Sequence, residues 1–140
     1  MSTLFVSLVT LFAGIANPDP SAEEKAIKDV IVSFAQAGDR NDVEALNETL
    51  DDNYRIVMNR LFGSNEVLVM SKDTYLEKIK SKEYGGGNRK LTFESIVVNG
   101  ATASTKVKFQ DEKTTFVSII VLIKNANGRW KLVSDVPIVG

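Results

Sequence analysis

Four residues have a type and position that could do chemistry: Tyr54, Arg60, Glu94 and Asp135. Asp135 is the carboxylate near the end of NGRWKLVSDV, an otherwise apolar run. It could be a general base at a pocket rim or a solvated strand terminus. Side chains alternate along a strand, so Asp135 shares a parity with Lys131, opposite to Trp130, Leu132 and Ser134. That parity predicts an Asp135 pointing to solvent or to a subunit contact. Tyr54, in DDNYRIV, could donate a hydrogen bond to an oxyanion in a proton-transfer reaction. It could equally be an amphipathic residue with its ring in the core. Arg60 shares the Ile56/Met58 parity of RIVMNRLF and could meet an anionic or carbonyl ligand, or form a surface salt bridge. Glu94 sits well inside KLTFESI, where the solvent face is the alternative to a pocket.

The absences narrow the chemistry further. The 140-residue chain contains no histidine and no cysteine. Imidazole bases, thiolate nucleophiles and the metal sites built on either are therefore excluded. Any catalysis must run on Asp, Glu, Lys, Tyr, Ser or Thr, and no run has the acidic spacing of a calcium loop. No metal and no cofactor is expected, and no catalytic residue is assigned. Lys+Arg 17 against Asp+Glu 18 gives a net charge of -1, which supplies no global field for nucleic acid. Hydrophobic residues at 44% and charged ones at 25% describe one soluble domain with a sizeable core.

The elements that must position these residues are legible in pattern. At the N-terminus, MSTLFVSLVTLFAGIANP carries no charged side chain before Asp19. Its apolar stretch is too short to span a bilayer and matches a secretory signal, predicting cleavage after Ala16. The expected organisation is a signal over residues 1–16, then a domain over 20–136, secreted or periplasmic with no membrane span once mature. An apolar helix docked on a cytoplasmic domain is the alternative. PSAEEKAIKDVIVSFAQAG predicts a helix with Ser21 and Glu24 as a capping box, Ile27, Val30, Ile31 and Phe34 as its apolar stripe, and Gly38 as its left-handed end. NDVEALNETL predicts a second helix capped by Asn41. A strand over RIVMNRLF, a short strand at EVLVM and a third helix at SKDTYLEKIK capped by Ser71 follow. Asn99-Gly100 and Asn127-Gly128 mark hairpin turns between the remaining strands. TTFVSIIVLIK, apolar on both parities, predicts a central strand covered on both faces. Helices ahead of a long meander imply an α+β domain.

This layout resembles the NTF2-like (nuclear transport factor 2-like) superfamily, the cone-shaped, cystatin-like fold shared with ketosteroid isomerases and polyketide cyclases. The resemblance is closest to the family described as "putative lumazine-binding" and to SnoaL-like proteins. It rests on EEKAIKDVIVSFAQAGDRNDVEALNETL, DDNYRIV, SKDTYLEKIK, VVNGATASTKVKF and NGRWKLVSD. It implies three N-terminal helices packed on a bent antiparallel sheet that leaves a cavity, and a homodimer through the sheet face. Members of the superfamily place pocket histidines in the last strand, where Ser134 and Val136 stand here. The expected ligand pocket comprises Tyr54, Ile56, Met58, Arg60, Trp130, Leu132 and Ser134, each of which could instead be plain core or surface. The resemblance implies a domain holding a small, mainly apolar ligand. The alternatives are a proton-transfer enzyme (isomerase, cyclase or dehydratase) and a homodimeric interaction module.

Overall fold

The computed structural model describes residues 20–138. The expected signal, residues 1–16, lies outside them. Helix α1 spans Pro20–Asp39 and buries Ile27, Ile31, Phe34, Ala35 and Ala37, positions that recur with helical period on one stripe. It continues through Gly38, which does not take the left-handed conformation expected of it. Gly38 instead allows close approach: a Cβ there would lie 3.1 Å from Arg89 Nη2.

Helix α2 (Val43–Thr49) is capped by Asp42, whose Oδ1 accepts from the Ala45 amide at 3.1 Å. The cap expected at Asn41 is thus shifted by one residue. Asn41 turns the chain with φ 54, a conformation asparagine tolerates. Its side-chain amide then donates to the carbonyls of Ile79 (2.8 Å) and Tyr84 (2.7 Å).

Strand β1 (Leu50–Asn59) starts directly after α2, earlier than DDNY suggested. A 3-10 turn at Leu61–Gly63 leads to β2 (Val67–Ser71), and Ser71 caps helix α3 (Lys72–Lys80) as expected. Then come β3 (Lys90–Asn99), β4 (Thr102–Gln110), β5 (Thr115–Lys124) and β6 (Trp130–Pro137). The expected turns at Asn99-Gly100 and Asn127-Gly128 are present, both glycines having positive φ.

Two points correct the expected architecture. The third helix is not N-terminal with the others but follows β1 and β2. The six strands, in the order β2-β1-β6-β5-β4-β3, are not all antiparallel, because β1 pairs with β6 in parallel. The chain returns to β1 only after α3 and four further strands, a connection long enough for a parallel neighbour.

The helices cover one face of this sheet. Ala103, Thr105, Val107 and Phe109 of β4, with Ser118, Ile120 and Leu122 of β5, point into the core. The opposite row of β5, Val117, Ile119, Val121 and Ile123, is only half-buried. One face of β5 is therefore covered fully, not both.

Bulges break the alternation in β3 and in β6. Phe93 pairs with Val107 but Ser95 with Lys106, leaving Glu94 as the extra residue of β3. In β6, Leu132 pairs with Leu122 and Ser134 with Val121, leaving Val133 extra. An extra residue bends the strand and shifts every later side chain to the opposite face.

Candidate functional site

The β6 bulge decides the site. Before it, Trp130 and Leu132 face inward; after it, the inward residue is Asp135, only 6% exposed. The expectation of a solvent-facing Asp135 is overturned, because strict alternation fails at Val133. Its carboxyl enters a cavity of about 590 Å³ between the helices and the inner face of the sheet.

Aromatic rings build the wall. Period-four spacing on α3 turns Tyr75 and Ile79 inward, and Tyr75 meets Phe34 of α1 at 6.4 Å between centroids. Tyr54 of β1 lies 5.7 Å from Tyr75 and 6.4 Å from Phe34. Phe109 and Phe116 stack at 5.0 Å across the β4–β5 pair. Ile56, Met58 and Met70 complete an apolar lining.

Among the described residues one cation, Arg89, lines the cavity, and it is paired with an acid. Arg89 Nε donates to Asp39 Oδ1 at 2.7 Å, Nη2 donates to the Ala35 carbonyl at 2.9 Å, and the guanidinium lies over the Phe109 ring at 5.3 Å. The Arg89 amide also donates to Asp39 Oδ2 at 3.0 Å. Asp111 lines the same cavity, its carboxyl lowered below the usual range by the Lys113 and Thr114 amides that donate to it. Among the described residues no group of three or more acids is gathered to hold a metal ion.

At the buried end, Tyr54 Oη, Ser118 Oγ and Asp135 Oδ1 have no well-formed hydrogen bond. Burial pushes the Asp135 carboxyl up to about 6, and the Ser118 hydroxyl, the Arg89 charge and the Tyr54 hydroxyl temper that rise without cancelling it. Those hydroxyls thus act on the acid while its Oδ1 stays without a hydrogen-bond partner. Burial, and next the Asp135 charge, holds the Tyr54 phenol far above its ordinary value. Burial raises Tyr75 as well, against the Arg89 charge. Both phenols therefore remain protonated donors at neutral pH. A carboxyl poised near neutrality beside them can accept a proton, donate one, or pair with a positive ligand group.

The residues expected to form a pocket separate into three places. Ile56 and Met58 line the cavity, and Tyr54 lies buried beside Asp135. Arg60 sits in the left-handed turn after β1 (φ 53), exposed and away from the cavity. Trp130 is core at the far end, where its indole N–H donates to Glu23 Oε2 at 2.6 Å and Lys124 holds the other oxygen at 2.7 Å. Leu132 is fully buried core, and Ser134, half-buried and adjacent to Asp135 after the bulge, is not part of the cavity lining. Glu94 is exposed and paired with Lys106 at 3.1 Å.

Sequence reasoning missed Arg89, Asp39 and the inward aim of Asp135. The first two meet across 50 residues, and a bulge has no side-chain signature of its own.

The fold and the cavity define an NTF2-like α+β domain. The pattern of the family described as "Putative lumazine-binding" matches residues 22–136, and the chain belongs to that family. Solved structures with this fold include an NTF2-like protein of unknown function from Shewanella baltica, with a TM-score of 0.75 and 18% identity over 87% of this chain and 97% of that one. Another, from Silicibacter pomeroyi, has a TM-score of 0.74 and 19% identity, covering 87% of this chain and 99% of that one. A ketosteroid isomerase-like protein from Erwinia carotovora atroseptica has a TM-score of 0.63 and 19% identity over 82% and 94% of the two chains. At such identity these likenesses concern the fold alone. A search of the curated proteins found no match.

Proposed function

We propose that this domain binds a small, mainly apolar ligand in a cone-shaped cavity, with Asp135 receiving the ligand's polar group at the buried end. The observation carrying this reading is Asp135 itself. A buried carboxyl with an unpaired oxygen is costly to maintain, and a ligand that pairs it recovers part of that cost. The apolar walls supply the rest of the affinity, as is usual in pockets of this size. The family name supports a ring-shaped ligand. Native mass spectrometry after incubation with a mixed small-molecule library tests the reading. Retained ligand, lost in Met58→Trp, which fills the cavity, is the expected result; no retention by the folded protein ends it.

A second reading, proton transfer at a carbon next to a carbonyl, is favoured by the pairing of a near-neutral acid with a phenol kept protonated. Asp135 would move the proton and Tyr54 would hold the oxyanion. Deuterium exchange into a panel of cyclic ketones reads this directly. Exchange unaffected by Asp135→Asn would refute it.

Export and assembly belong to the same proposal. Residues 1–16 act as a signal removed on secretion, which the mass of the mature protein from culture medium checks. The half-buried row on the outer face of β5 pairs two copies, which sedimentation checks. A monomer at micromolar concentration argues against pairing.

A further inference from the structure

We infer that the polar group this cavity accepts is a cation: an alkylammonium on an aromatic or aliphatic skeleton, seated on the Asp135 carboxylate. The inference deepens the proposed binding role and rests on it.

Charge at the cavity is the first argument. Among the described residues its charged lining comprises Asp39, Asp111 and Asp135 against Arg89. Arg89 is paired with Asp39, donates to the Ala35 carbonyl and lies over the Phe109 face. Asp39 offsets its charge, so Asp111 and Asp135 set the sign of the field and repel an anionic ligand. A positive group is drawn in instead.

Partner chemistry is the second. Of the three buried residues with an unpaired oxygen, Tyr54, Ser118 and Asp135, only Asp135 lines the cavity, and its carboxylate can only accept. An ammonium carries three donors and no acceptor, so it complements such a group. A ligand carbonyl would face the carboxylate with nothing to donate to it. Aromatic walls add a third contribution, since the Phe34 and Tyr75 rings line the cavity and an aromatic ring attracts a desolvated cation within about 6 Å.

The test uses the whole domain and three matched indole probes: tryptamine, tryptophol and indole propionate, which differ only in carrying an ammonium, a hydroxyl or a carboxylate. Calorimetry at neutral pH is expected to rank tryptamine at least about tenfold above tryptophol, with the carboxylate weakest, since one close charge pair away from water supplies that much. Asp135→Asn, isosteric and neutral, is expected to erase the ammonium preference, lowering tryptamine affinity at least about tenfold toward that of tryptophol. Tryptamine affinity should also rise about tenfold from pH 5 to pH 7, as the Asp135 carboxyl ionises near 6. The groups facing Asp135 do not mimic this. Tyr54 of β1 and Tyr75 of α3 stay protonated, Ser118 of β5 does not titrate, Arg89 is held in its pair with Asp39, and Asp111 ionises below the window. Equal binding of tryptophol and tryptamine overturns the cationic inference and leaves the binding role standing. Binding of none of the three by the folded protein overturns both. The wild-type ranking decides the matter even if the variant fails to fold.

Discussion

Asp135 sets the pH behaviour of this protein, because its charge is buried without a partner. Its carboxyl titrates at about 6 in the folded chain against 3.8 when free, so the folded state holds the proton more tightly. Its contribution to stability is therefore fully present below about pH 4 and is lost as pH rises through 6. The size follows from the shift, on the order of 2–3 kcal/mol at neutral pH. Asp135→Asn removes the cost with no good hydrogen bond to lose. Urea unfolding should find the variant more stable than wild type by about that amount at pH 7.5 and indistinguishable at pH 4. A variant less stable at pH 7.5 would mean that the carboxylate is satisfied in a way its surroundings do not indicate. Tyr54 bears on the same balance: its phenol stays protonated and tempers the Asp135 rise, so Tyr54→Phe should push the pH at which stability is lost further up.

At the scale of elements, the cavity depends on a junction rather than on any one strand. Asn41 adopts a left-handed conformation and clamps the end of α3 through the Ile79 and Tyr84 carbonyls. The loop after α3 then passes so near that a Cβ on Gly85 would lie 2.3 Å from the Gly38 carbonyl oxygen. Asn41→Ala leaves two carbonyls unpaired and keeps the unfavourable φ, so a loss of about 2–3 kcal/mol is expected by denaturation. Asn41→Gly relieves the backbone alone and should fall between the two. Equal stability of all three proteins would show that the clamp contributes nothing. The sequence revealed much of this scaffold, for physical reasons that differ by element. The helices announce themselves through apolar residues three and four apart, and the Asn99-Gly100 hairpin through a residue pair suited to positive φ. The inward face of β6 stayed hidden because the Val133 bulge reverses parity without changing composition. Glu94 hides a second reversal in β3, where Ile96 faces inward although it shares Glu94's parity. The Asp39–Arg89 pair was equally illegible, being made by tertiary packing of α1 against the start of β3. Local pattern therefore located the elements, missed the early start of β1 at Leu50, and misplaced the one acid that matters.

For the whole molecule, these parts join a nearly neutral exterior to an acidic, aromatic interior. A net charge of -1 leaves little long-range field, so selectivity must come from the cavity itself. Occupancy by a cation should then be read in global stability. A ligand at a hundred times its dissociation constant stabilises the folded state by about 2.7 kcal/mol. For a domain of this size that raises the melting temperature by roughly 10 °C. The rise should depend on pH in a definite direction. At pH 7 an ammonium pairs a carboxylate that otherwise destabilises the fold, whereas at pH 5 most molecules must first give up the Asp135 proton. Tryptamine at one fixed concentration is therefore expected to shift the melting temperature more at pH 7 than at pH 5. Tryptophol, which meets the same walls without a charge, should shift it equally or slightly more at the lower pH. Scanning calorimetry at both pH values with both probes separates the terms: a common shift measures burial against the aromatic wall, and the difference between probes measures the charge pair. A tryptamine shift that does not grow with pH would place the ammonium away from Asp135 and leave that acid's exposure to the cavity without a role in recognition.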